Sequence, residues 1–307
     1  MTRISKPFDE CDQFDLLEIY SRCLNFKDSA KLMGVSRDTW SKKWYECGLP
    51  SPKTTRTVAN DSDLPYYEIA VVSDTHWGSI YQQKSIFDSF IGDCKDRGIK
   101  TLIHCGDIID GIMTYKDHDK KRFLNDTSEI EDYVIRNYPD GFDHNYFTKG
   151  NHDVSLVKLE GIDYDFCHRL EELRSDLTYV KRGTPIIGPG NIILAANHCA
   201  GSCAAPGENR TKRMKNRVLK LMSEGQFGHI FLGGHCHNVK VIKSFMNSMI
   251  IGVGCFQSPD QYILDSYGSS DICGLILKYN MLDGRPVNLV PEFRYAYQYG
   301  GITKNDY

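Results

Sequence analysis

The chain has 307 residues, a formal net charge of −3 and 41% hydrophobic residues, which suits one large globular domain or one domain with a small appendage. There is no tandem repeat or low-complexity tract, and no apolar run nears the ~20 residues that a membrane helix needs. The opening residues lack a signal-peptide core and the eleven cysteines include no C-x-x-C pair, so the sequence predicts a disulfide-free chain in a reducing, cytoplasmic compartment.

The first element is a helix with Phe14, Leu16, Leu17 and Tyr20 at helical spacing. Residues 29–49 follow with SAKLMGVSRDTWSKKWYECGL, a pattern that resembles a helix-turn-helix. Ala30 is small where two helices cross, Gly34 permits a tight turn, Val35 fills the core and Ser36 can cap the second helix. Trp40 and Trp44 face inward, which predicts Arg37, Lys42 and Lys43 on the outward face. From Lys31 to Arg56 there are six basic and two acidic residues. A helical domain over 1–50 with Arg37, Lys42 and Lys43 as candidate DNA contacts is therefore expected. A docking or dimerisation domain would show the same pattern. Residues 51–64 (SPKTTRTVANDSDL) read as a linker, which leaves 65–307 as the larger domain.

In that domain five short apolar runs each end in metal-ligand residue types. They are EIAVVSD (68–74), TLIHCGD (101–107), NYFTKGNHD (145–153), NIILAANHC (191–199) and HIFLGGHCH (229–237). Helical stretches such as 82–97 and 210–223 separate most of them, which predicts an α/β layered fold with polar clusters at strand ends. Taken alone, a Gly-Asp is a turn and a strand-end histidine is a satisfied polar group. Five such clusters in order carry more weight. Strand alternation would bring Asp74 to His76 and His235 to His237, with Cys236 turned away to pack. A nitrogen and oxygen donor set suits Mn, Fe, Zn or Ni rather than Ca, and there are enough donors for two ions sharing a carboxylate.

The set DTH, GDIID, GNHD, NH and GHCH resembles the calcineurin-like metallophosphoesterases. That resemblance implies two face-to-face β-sheets flanked by helices. It implies Asp74, His76 and His237 at a first divalent ion, Asn151, His198 and His235 at a second, and Asp107 bridging them. It also implies a metal-bridging hydroxide as nucleophile, His152 beside the leaving group as general acid, and Asp110 orienting His152. Mn is the first expectation for both ions. The protein-phosphatase branch of the family has an arginine directly after the second Asp of GDxxD, where this chain has Gly111. A diester carries less charge than a terminal phosphate, so this departure favours the branch that resembles DNA-repair exonucleases and a DNA-cleaving phosphodiesterase. A phosphomonoesterase and a non-catalytic scaffold are the alternatives.

Arg210, Lys212, Arg213, Lys215, Arg217 and Lys220 form a second basic run, read either as a solvated helix face or, at Arg210, Lys212 and Arg213 first, as DNA-phosphate contacts. Residues 112–144 form an insertion in which His118 and His144 are expected at the surface. No chemistry is read after Gly252.

Overall fold

Strand β1 (Tyr66–Val72) sets the layering of the larger unit. Ile69 and Val71 turn to one face and Ala70 and Val72 to the other, as the two-residue period of a strand requires. The first pair enters a core with Ile103, Leu194, Leu232, Ile251, Leu275 and Tyr279. The second pair meets Phe87 and Phe90 of α4 (Lys84–Asp96), Ile130 and Val134 of α5 (Thr127–Asn137), and Phe166 and Leu170 of α7 (Phe166–Leu173). One face is thus sheet-facing and the other helix-facing.

The computed structural model describes residues 6–23, 26–49, 64–114, 118–198, 208–259 and 269–300. The chain divides into two compact units, Met1–Asp61 and Ser62–Tyr307. Apart from Leu64, the expected linker lies outside the described residues.

The first sheet of the larger unit has the order β11-β10-β1-β2-β3-β4. It adds β2 (Thr101–His104), β3 (His144–Phe147), β4 (Leu177–Tyr179), β10 (Cys273–Leu282) and β11 (Arg285–Tyr295). The second has the order β5-β6-β7-β9-β8. Its strands are β5 (Ile186–Ile187), β6 (Ile193–His198), β7 (Ile230–Gly234), β8 (Lys240–Phe245) and β9 (Ser248–Gly252). Its outer face presents Ala195, Phe231 and Ile250 to Met214, Val218 and Leu221 of α8 (Glu208–Ser223). The result is helix, sheet, sheet, helix, which is the four-layer α/β fold expected. β1, β2 and β3 run parallel, as do β6 and β7. Their C-terminal ends therefore lie on one side of each sheet, where ligand loops collect.

The smaller unit has α1 (Gln13–Cys23), α2 (Phe26–Leu32) and α3 (Arg37–Glu46). Leu16, Ile19, Ala30, Trp40 and Trp44 form its core. Gly34 takes φ +70° in the turn between α2 and α3. Ser36 caps α3 by accepting from the Thr39 N–H at 3.0 Å. The outward face differs from expectation at one position. Arg37 and Lys42 are exposed, whereas Lys43 is half-buried and donates to the Asp9 carbonyl at 2.8 Å. Its long stem lets it reach back across the helix.

Trp40 is fully buried and packs against Phe8 and Trp44. Trp40→Ala should remove about 3–5 kcal/mol, more than so small a core can lose. Limited proteolysis should then digest the first unit and spare the second. An unchanged digestion rate would show that Trp40 does not hold this unit together.

Candidate metal centre

The candidate ligands lie just past the strand ends, in backbone that is not extended. Asp74, His76, Asp107, His235 and His237 have φ of 51°, 45°, 55°, 79° and 52°. Strand alternation therefore does not bring Asp74 to His76 or His235 to His237. β1 stops at Val72 and β7 at Gly234, and left-handed turns fold each pair inward. Such φ values are uncommon for residues with a Cβ and cluster at functional sites. The loops also approach very closely. A Cβ on Gly150 would lie 2.1 Å from Asp107 Oδ1 and 2.2 Å from its amide nitrogen, so only glycine lets the GNHD loop rest on the GDIID loop.

The side chains form two groups around one carboxylate. In the first, His76 Nε2 lies 3.1 Å from His237 Nε2 and 3.8 Å from Asp74 Oδ1, and His237 Nε2 lies 3.3 Å from Asp74 Oδ1. In the second, His198 Nε2 lies 3.0 Å from Asn151 Oδ1 and 3.2 Å from His235 Nδ1. Asp107 Oδ2 is 3.9 Å from His76 Nε2 and 2.9 Å from His198 Nε2, so the same oxygen faces both groups. Such crowding of nitrogen and oxygen donors fits a pair of divalent cations.

Partners behind the donors fix which atom points inward. His198 Nδ1 donates to the Cys105 carbonyl at 3.0 Å, which leaves Nε2 for the centre. His76 Nδ1 pairs with Asp110 Oδ1 at 3.1 Å, with the same result. The role expected of Asp110 is corrected here. Its carboxylate serves His76 and, through Oδ2 at 2.8 Å, His118. It stands 3.9 Å from His152 Nδ1, which instead is 2.6 Å from the Asp110 main-chain carbonyl. A peptide carbonyl can only accept, so His152 carries its proton on Nδ1 when neutral. His118 is likewise not a surface residue. It is 1% exposed, because the insertion folds back onto Asp110, whereas His144 is exposed.

Asp153 and His104 act behind the donors and were not singled out from the sequence. The Asp153 carboxylate accepts from the amides of Asp107 (3.0 Å), Ile108 (2.9 Å), Ile109 (3.2 Å) and Gly150 (2.7 Å), which ties the two loops together. Burial, together with the charge of Asp107, pushes its pKa up to about 6. Its place in GNHD was the available signal. His104 Nδ1 accepts from the Gly106 amide at 3.2 Å and its Nε2 meets Thr75 Oγ1 at 3.1 Å. Burial drives its pKa down to about 3, so it stays neutral as a loop brace.

The basic run of α8 does not form one face. Lys212 and Lys215 flank Phe245, with Lys215 Nζ 5.3 Å from its ring centroid. Arg217 instead turns toward the loop carrying Asn151. Lys212 is exposed and Arg213 half-buried, while the side chain of Arg210 lies outside the described residues. Cys236 also departs from expectation. It is disulfide-bonded, to a partner outside the described residues. Sequence spacing is no guide to pairing, which depends on Cα separation in the fold.

Burial opposes charge on His76 and His198, but the surrounding carboxylates outweigh it. Asp110 and Asp74 raise His76 to about 10, and Asp107 and Asp74 raise His198 to about 9. Both rings hold a proton at neutral pH that a metal must displace. Adding Mn²⁺ to metal-free protein at pH 7 should therefore release protons. Affinity should climb from pH 6 to 9, by about tenfold per unit for each proton displaced. Calorimetry in buffers of different ionisation enthalpy measures this, and a pH-independent affinity would exclude these ring nitrogens as ligands.

Residues 67–249 match the model of the calcineurin-like phosphoesterase family. No curated protein matches the sequence. Among solved structures, the chain is similar to a point mutant of Vps29 from Entamoeba histolytica, with 12% identity, 74% of this chain and 99% of that one covered, and a TM-score of 0.37. It is similar to a predicted phosphoesterase from Streptococcus pneumoniae, with 12% identity, coverage of 75% and 99%, and a TM-score of 0.34. It is also similar to Vps29 from Cryptosporidium parvum, with 10% identity, coverage of 76% and 100%, and a TM-score of 0.37. With the family match spanning more than half of the chain and covering Asp74, Asp107, Asn151, His198, His235 and His237, this protein belongs to the calcineurin-like phosphoesterases.

Proposed function

We propose that the protein is a phosphodiesterase using two divalent cations, Mn²⁺ first among them, and that DNA is its substrate. The observation that carries the two-ion reading is Asp107 Oδ2, which faces both donor groups. When bound, two such ions polarise phosphate oxygens and lower the pKa of a water. Asp74, His76 and His237 would hold one, Asn151, His198 and His235 the other, with Asp107 between them.

The diester preference rests on Gly111. It has φ +68°, and a Cβ there would lie 2.0 Å from Ser155 Oγ and 2.6 Å from the His152 carbonyl. No side chain fits, so no guanidinium can project from this position. Arg122 comes near, but its Nη1 contacts the carbonyls of Gly111 and Leu124 at 3.3 Å each. A doubly charged monoester would lose more from this missing cation than a singly charged diester. Comparison of bis-p-nitrophenyl phosphate, p-nitrophenyl phosphate, single-stranded DNA and duplex DNA tests this. Faster turnover of the monoester would replace the proposal with a phosphomonoesterase.

In this reading His152 assists the leaving group. Its Nδ1 is held by the Asp110 carbonyl, and its ring stands edge-on to His76 with centroids 4.6 Å apart. Nε2 is then the atom that can give up a proton. Burial lowers the His152 pKa below the ordinary imidazole value despite the opposing charge of Asp107, so the protonated, proton-donating form is favoured toward acid pH and is lost as pH rises. His152→Ala should lower DNA cleavage by about 10²–10⁴-fold and bis-p-nitrophenyl phosphate hydrolysis much less, since p-nitrophenolate hardly needs a proton. Equal losses on both substrates would remove the acid role.

The first unit is assigned to DNA recruitment through its exposed Arg37 and Lys42 and the basic excess around them. Removing residues 1–61, a separate compact unit, should leave small-diester hydrolysis intact and weaken DNA binding. The salt dependence of binding should flatten with it, since fewer counterions are released. Charge reversal at Arg37 and Lys42 should reproduce part of this, with Lys43 left in place to hold Asp9. DNA binding that is the same across a salt series would make the unit a docking module.

A further inference from the structure

A cavity of about 320 Å³ opens beside Asn151 and His198, the donors of the second group. Its walls come from the GNHD loop, the end of β4, the end of β6 and α8, and three of its side chains are cations: Lys149, Arg182 and Arg217. Lys149 is paired with Asp165, and Arg182 Nη2 meets both oxygens of Glu224 at 3.1 Å. Arg217 differs. Its Nε is buried and has no hydrogen-bond partner among the described residues. Thr148 lines the same cavity, is 4% exposed, and its hydroxyl is likewise buried without a partner. Two unpartnered polar groups on one cavity wall cost stability unless something fills it.

The shape of the wall selects the chemistry. Tyr179 would be the natural platform for a nucleobase, but Lys149 and Phe147 already pack against its ring. Lys149 Nζ sits 5.3 Å from its centroid, and Phe147 stacks on it at 5.5 Å with a 28° interplanar angle. What remains on offer is a guanidinium, a hydroxyl and two neutralised cations, a set that matches a phosphate. We propose that this cavity binds a second phosphate of the same substrate, next to the phosphoester held at the metal-ligating residues, with Arg217 and Thr148 as its donors. The assignment of the first phosphoester rests on the phosphodiesterase reading, and the second phosphate is what a nucleic-acid strand carries and a simple diester lacks.

The test is calorimetric, on full-length protein loaded with Mn²⁺. Thymidine 3′,5′-bisphosphate should bind at least about tenfold tighter than thymidine 5′-monophosphate or 3′-monophosphate, as one charge-assisted phosphate contact provides. Arg217→Met should collapse that preference to about twofold or less, and Arg217→Lys should restore part of it. Arg182→Gln, at the more exposed rim, should reduce it partway, and serves where Arg217→Met fails to fold by thermal unfolding. No preference in the parent protein, or an undiminished one in both Arg217→Met and Arg182→Gln, overturns the proposal. Bis-p-nitrophenyl phosphate, which has no second phosphate, separates the two readings. Hydrolysis without bisphosphate preference removes the cavity assignment alone. Preference without hydrolysis removes the phosphodiesterase and keeps a two-phosphate site.

Discussion

The centre of this molecule is organised around the Asp107 carboxylate. One of its oxygens faces His76 and His198 together, and the other accepts the His152 amide at 2.8 Å. Both donor groups and the GNHD loop are therefore referenced to the same residue. Asp107 is in turn positioned through its own amide by Asp153, whose four accepted hydrogen bonds lock the GDIID loop to the GNHD loop. Four-layer packing delivers the loops to this point, since the inter-sheet core brings the ends of β1, β2 and β3 against those of β6 and β7.

Much of this was legible because each donor follows an apolar run that could only be a buried strand. The fold class and the identity of the clusters came from that pairing of strand and polar motif. Less legible was what each side chain does at its far end. Asp110 sits one motif away from both His76 and His152, and spacing alone cannot say which ring its carboxylate meets. The structure gives the carboxylate to His76 and the main-chain carbonyl to His152. His118 looked superficial because it lies in a charged stretch, but a buried carboxylate with a free oxygen is a strong enough partner to draw an imidazole inward. Lys43 was misread for the same reason: helical periodicity gives the direction of a Cβ, not the reach of a long amine.

Asp74 and His76 do meet, though not by strand alternation, whereas His235 and His237 face different donor groups. Alternation in an extended segment and a left-handed turn can both place residues i and i+2 together, but only the second lets the backbone double back within hydrogen-bond distance of its neighbours. The His235 amide shows this by donating to Asp74 at 2.8 Å from the other sheet. No sequence period distinguishes the two, because the turn is imposed by the contacts between loops.

That backbone has an evolutionary consequence. Holding a side chain at left-handed φ costs of the order of 1–3 kcal/mol per residue, less for Asp and His than for β-branched residues. Glycine would relieve it at each of these five places. Drift in a lineage that had lost its use for the ions would thus run downhill toward glycine, gaining thermal robustness while shedding donors. A chain that keeps two aspartates and three histidines there bears that backbone cost at every one of these positions.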